Sequence, residues 1–128
     1  MKASETERLL QLLLEERGVP FARESGLIRF RLRSGGAEWE VNCRCSDGQV
    51  EVYGRFPCSV AERDTALRRC NEINLQTSRG TMLLPRDGRP VFRTVADIGD
   101  IYDAEERLNR ALDENQRAIL RFWKRLLP

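Results

Sequence analysis

Four cysteines are the residues best suited to chemistry: Cys43 and Cys45, one residue apart, then Cys58 and Cys70. Four thiolates can hold zinc tetrahedrally, and an accessible thiolate can do redox or nucleophilic work. Structural zinc sites bring their thiols in pairs separated by about two to four residues. Here the C-x-C pair is too close, and no second pair follows. Free cysteine also packs as a small apolar residue. The spacing therefore favours core thiols, with a small Cys-dependent metal or redox protein as an alternative. The chain has no histidine, which removes the commonest general base and the commonest metal ligand together. It carries no nucleophile elbow, P-loop or dinucleotide fingerprint. The acidic pairs Glu105-Glu106 and Asp113-Glu114 lie at helical spacing from bases. Glu106 with Arg110 and Asp113 with Arg117 read as i,i+4 pairs on a solvated helix face. The expectation is a protein that is not an enzyme, with no catalytic residue, metal ligand or cofactor.

Arginine is the second candidate chemistry. The chain has 22 basic and 20 acidic residues, a net charge of +2. That balance does not by itself point to nucleic acid. Arg29, Arg31 and Arg33 alternate with Ile28, Phe30 and Leu32 in LIRFRLR, the period of a strand with one apolar face. EWEVNCRC alternates likewise, placing Trp39, Val41, Cys43 and Cys45 together, and QVEVYGRF aligns Val50, Val52, Gly54 and Phe56. The turns at Ser34–Ala37 and Asp47-Gly48 set a register. Leu32 faces Trp39, Phe30 faces Val41 and Ile28 faces Cys43. Then Cys45 faces Val50, Cys43 faces Val52 and Trp39 faces Phe56. The opposite face pairs Arg33 with Glu38, Arg31 with Glu40, Glu40 with Arg55 and Arg44 with Glu51, a compensated charge ladder. A nucleic-acid-binding regulator using this face would need uncompensated arginines; it is carried as an alternative, with nucleic acid unlikely as a partner.

The elements that position these residues follow from local signals. Ser4 with Glu7 fits a capping box opening a helix over roughly 4–17, which Gly18 and Pro20 end. Pro57 closes the meander. Ser59 with Glu62 opens a helix over about 60–75 with the inner stripe Ala66, Leu67, Cys70, Ile73 and Asn74. Strands over 80–84 and 91–95 flank the turn Pro85–Gly88. Asp103 with Glu106 opens a last helix running to about Leu127. Its apolar residues are Ala104, Leu108, Ala111, Leu112, Ile119, Phe122, Trp123 and Leu126. Asn71 and Asn74, in the last turns of the second helix, can cap its end and tie it to the next strand. The order α-β-β-β-α-β-β-α, in one domain over 1–128, predicts an α+β fold: an antiparallel sheet with helices packed on it.

The helix end Cys70-Asn71-Glu72-Ile73-Asn74 resembles the L-N-x-x-N pattern of the YbjN family, described as bacterial sensory transduction regulators. As in that family, a short apolar strand (TMLL), Asp87-Gly88, a second strand (VFRT) and a long charged helix follow, and Trp39-x-Val41 lies on an early strand. The element order is also similar to that of type III secretion chaperones, which bind partner polypeptides and dimerise. Those chaperones are usually acidic, whereas this chain has a pI of about 8.5. The resemblance implies a secretion-chaperone-like domain and a non-catalytic, protein-binding regulator or chaperone-like protein.

Phe122, Trp123 and Leu126 are the candidate partner-binding residues, because adjacent aromatics on a helix point about 100° apart and one can reach outward. The first helix adds Leu9, Leu10, Leu12, Leu13 and Leu14, more than one stripe of apolar surface. Such surface predicts a homodimer or a face reserved for a protein partner. No apolar run approaches the roughly 18 residues of a membrane span, and the acidic N-terminal stretch is unlike a signal peptide. The expected location is the bacterial cytoplasm, with reduced thiols.

Overall fold

The computed structural model describes residues 1–127. Its elements run α1 (Ala3–Glu16), β1 (Phe21–Glu24), β2 (Leu27–Ser34), β3 (Ala37–Ser46), β4 (Gln49–Arg55), α2 (Arg63–Gln76), β5 (Thr81–Leu83), β6 (Val91–Asp97) and α3 (Ala104–Phe122). A 3₁₀ turn, Trp123–Leu126, ends the described chain. All six strands form one antiparallel sheet in the order β1-β2-β3-β4-β6-β5. α1 and α3 lie on it, giving an α+β fold. α2 stands beside β5 and the 3₁₀ turn.

The turn-set register holds through the meander. Leu32 pairs with Trp39, Phe30 with Val41 and Ile28 with Cys43; Cys45 pairs with Val50 and Cys43 with Val52. The expected pairs Trp39–Phe56 and Glu40–Arg55 fall beyond the ladder, whose last pair is Val41 with Gly54. There the Phe56 N–H turns instead to the Pro90 carbonyl at 2.9 Å. β1 is a strand that periodicity does not reveal, because FARE has one half-buried residue and three exposed ones. It forms because Ser25 and Gly26, at φ 32° and 78°, make the left-handed two-residue turn that suits a hairpin onto β2.

The helix starts differ from the capping boxes read in the sequence. α1 begins one residue earlier, and its Ala3 N–H is capped at 2.7 Å by Asp47 Oδ1, on the β3–β4 turn. The Gly48 N–H donates to Met1 O at 2.7 Å, and the buried Thr6 hydroxyl reaches Ser46 O at 3.1 Å. A tertiary cap from Asp47 thus joins a local one, in which Glu5 Oε1 accepts from the Lys2 N–H at 3.1 Å; the Ser4–Glu7 box does not form. α2 begins at Arg63, and Ser59 lies in the preceding loop. Asp103 does occupy the cap position of α3, but its carboxylate takes Arg107 Nε at 2.6 Å rather than a backbone N–H. Leu67, expected on the inner stripe of α2, is exposed; Ala66, Cys70 and Ile73 are buried.

The inner face of the sheet and the helices above it form the core, with Trp39 only 2% exposed. Asn115 of α3 sits in this core at 1% exposure. Its amide donates to Val52 O at 3.0 Å, Phe92 O at 2.9 Å and the Thr94 hydroxyl at 3.3 Å. The Thr94 hydroxyl in turn donates to Ala111 O at 2.8 Å. α3 can come this close because β4 has Gly54 beneath it: a Cβ there would collide with Asn115 Oδ1 and crowd Ile119.

Candidate functional site

The cysteines fall into two close pairs, Cys43 with Cys45 on β3 and Cys58 with Cys70 of α2. Cys43, Cys45 and Cys70 are buried, Cys58 is half-buried, and all four are free. Burial pushes the Cys45 thiol up to about 12, and the carboxylate of Glu7 adds to the shift. Burial likewise raises Cys43, Cys58 and Cys70. These are poorly nucleophilic thiols. No group of three or more Cys, Asp or Glu side chains among the described residues is arranged to hold a metal.

The arginines of the outer sheet face are largely engaged, though not always by the expected partner. Arg33 meets Glu38 at 3.2 Å as anticipated, but Arg31 also takes Glu38, at 3.5 Å, instead of Glu40. Arg29 meets Glu24 of β1 at 3.8 Å, and Arg55 meets Asp87 at 3.9 Å. Glu51, aligned with Arg44, accepts from Arg93 Nη2 at 3.1 Å and from the Tyr53 hydroxyl. These bonds, Tyr53's first, hold its carboxyl below the usual range, while Tyr53 and Glu51 hold the Arg93 guanidinium up. On α3, Glu106 meets Arg110 at 3.0 Å as expected. Asp113 instead reaches across to Arg17, at the C-terminal cap of α1, at 3.0 Å, leaving Arg117 to its backbone carbonyl.

Phe122 and Leu126 are core residues, 1% and 2% exposed. Trp123 is half-buried against the core with Lys124 over its ring at 5.7 Å. Burial leaves the first two no surface to present. The remaining exposed large apolar residues are dispersed over Leu12 on α1, Leu67 and Leu75 on α2, Leu83 on β5, Ile101 and Tyr102 before α3, and Leu127 after the 3₁₀ turn.

The chain instead leaves part of β6 unpaired. β6 runs seven residues and β5 only three, and β5 covers Val91 to Arg93. Backbone groups in an antiparallel strand point alternately to its two neighbours. The bonds Phe56 N–H to Pro90 O and Ile98 N–H to Gly48 O turn the even-numbered residues of β6 toward β4. Val91, Arg93, Val95 and Asp97 therefore turn outward. β5 pairs with the first two, and Arg107 Nη1 donates to Asp97 O at 3.2 Å. The Val95 N–H, the Val95 carbonyl and the Asp97 N–H find no partner among the described residues. They border a groove of about 350 Å³ between this edge and α3, with Arg79, Arg93, Arg107 and Arg110 against Asp97 and Glu114 on its walls. By contrast, the outer edge of β5 is closed. Asn74 Oδ1 accepts from Met82 N–H at 2.7 Å and Asn74 Nδ2 donates to Met82 O at 3.3 Å. Asn74 thus ties helix to strand, as its position suggests; Asn71 is exposed. The only trace of this free edge in the sequence is the shortness of TMLL between Gly80 and Pro85.

No protein-family model matches the chain, and neither a curated protein nor a solved structure matches it. No helix among the described residues is long and apolar enough to cross a membrane.

Proposed function

We propose that this protein works without catalysis, as a regulator or chaperone-like protein of the bacterial cytoplasm that binds a partner polypeptide. The observation that supports this reading is the unpaired edge of β6 in its arginine-lined groove. An extended segment laid beside Val95 and Asp97 would supply the missing hydrogen bonds, and main-chain pairing of this kind gives affinity without a deep pocket. The wall arginines Arg79, Arg93, Arg107 and Arg110 are paired with Glu114, Glu51, Asp103 and Glu106. The pairs of Arg79, Arg107 and Arg110 are half-exposed and exchange at little cost, so an acidic segment can compete for them. The resemblance to the YbjN family and to secretion chaperones agrees with a polypeptide partner.

The test is binding of arrayed ten-residue peptides, acidic and neutral, to the protein and to Val95→Pro. Proline at 95 removes an outward N–H and leaves the ladder to β4 intact. Acidic peptides should bind the parent and Val95→Ala, but not Val95→Pro. Equal retention by all three proteins would sink the reading. A second copy of the chain is the other polypeptide partner in view. Light scattering would then read about twice the 14.8 kDa chain mass, and Val95→Pro would return it to one.

A further inference from the structure

A second concavity lies on the same face of the sheet as the helices. It opens between the C-terminal end of α1 and the middle of α3, with a volume of about 210 Å³. Phe30, Val41 and Val52 of the sheet, with Leu14 and Leu112 of the helices, form apolar walls. Three polar side chains, Arg17, Asn115 and Gln116, also line it; the Asn115 amide nitrogen is spent on the sheet, and its Oδ1 has no partner among the described residues. Arg17 spends one nitrogen, Nη2, on both Asn109 Oδ1 at 2.7 Å and Asp113 Oδ1 at 3.0 Å. Its Nη1 and Nε, and the Gln116 amide, make no hydrogen bond among the described residues.

We propose that this cleft binds a small amphiphile: an apolar body with a single oxygen acceptor at one end. Three features lead there. The cleft reaches down between two helices to the core face of the sheet, where Leu14, Phe30, Val41, Val52 and Leu112 are all buried side chains. Most of its wall is apolar, with the polar groups gathered at the α3 and Arg17 side, and an apolar cavity of about 150 Å³ is enough to take a benzene ring. By that scale the cleft holds an apolar body of about six to eight carbons. The free donors of Arg17 and Gln116 then select the head group. A guanidinium presents its N–H groups as a fork suited to a carboxylate or a carbonyl, and it offers an ammonium head nothing. Asp113 already balances the charge of Arg17, so an acceptor oxygen is the requirement, whether the head is an acid or its ester. This site shares no lining residue with the groove at β6, and it does not rest on the polypeptide-binding reading.

The test is a titration of the full chain, methyl-labelled for NMR, with hexanoate, methyl hexanoate and hexylamine. Hexanoate or its ester should shift the methyls of Leu14, Val41, Val52 and Leu112 saturably, and hexylamine should not. Arg17→Gln should weaken binding roughly threefold to tenfold, the size of one charge-assisted hydrogen bond at a partly open site. Leu32→Trp, at the half-buried Leu32 on the cleft wall, should abolish it. If that variant fails to fold, the methyl map and Arg17→Gln decide. No saturable shift at these methyls, or hexylamine binding as tightly as hexanoate, would overturn the proposal. Loss of peptide binding at β6 would leave it standing.

Discussion

Asn115 carries more of the architecture than any other polar side chain. The nitrogen of this buried amide bonds two adjacent strands through Val52 O and Phe92 O, while its Oδ1 has no partner among the described residues. Asn115→Ala should cost about 1–3 kcal/mol in urea unfolding, since two buried carbonyls lose a donor. Gly54→Ala should cost a similar amount, about 1–3 kcal/mol, by forcing Asn115 and Ile119 away from the sheet. Because both act at one contact, the double variant should be less destabilised than the sum of the two; strict additivity would mean that the contact is not the cause. At the same scale, Cys45 makes stability depend on pH. The folded chain keeps a proton until about pH 12 that an unfolded chain releases near the ordinary value of 9.0. Its contribution is therefore complete below pH 9.0 and is lost as pH rises toward 12. The denaturation midpoint should fall over this range, and Cys45→Ala should flatten that fall.

Elements here are closed off by other elements. The first turn of α1 is capped by Asp47, 44 residues away, and not by its own Ser4. Asp47→Ala should cost about 0.5–2 kcal/mol, the usual value of a lost cap. Ser4→Ala should stay within about 0.5 kcal/mol, as for exposed surface changes. The reverse order in thermal melts would restore the local capping box. The apolar stripe of α3 was legible in Leu108, Leu112, Ile119 and Phe122. Asn115 fills the helical spacing between Leu112 and Ile119, so its burial could have been inferred from position, but its three acceptors could not. Trp39 should behave as a core residue: Trp39→Ala should cost on the order of 3–5 kcal/mol, against less than about 1 kcal/mol if the strand register were slipped by one residue.

At the scale of the whole molecule, the exposed apolar residues are spread over several elements, and unpaired strand backbone lies at both ends of the sheet, along β1 and the second half of β2 and at Val95–Asp97 of β6; only the last borders the arginine-lined groove. Binding there should be sensitive to salt, because an acidic segment would take the wall arginines from exposed ion pairs, and such exchanges are screened. Reversing charge at Arg107 and Arg110 together should weaken an acidic peptide at low ionic strength by roughly tenfold or more. A peptide whose affinity neither changes with salt nor responds to this reversal would place the binding surface elsewhere.

Alternation and turn chemistry, both local, determined the three-stranded meander, its register and the side chains of its core face. They also placed Asn74 at the junction of a helix and a strand. Tertiary structure alone decided which ends of elements meet. It set β6 between β4 and a β5 four residues shorter, brought Asp47 to α1, and turned Arg31 to Glu38. The free edge at Val95 and Asp97 is a property of two strands of unequal length brought side by side, and the cleft beside Arg17 is a property of two helices resting apart on one sheet. Neither is encoded in any contiguous run of residues. Side-chain periods report which face of one element is apolar; distances between elements depend on how all of those faces pack at once.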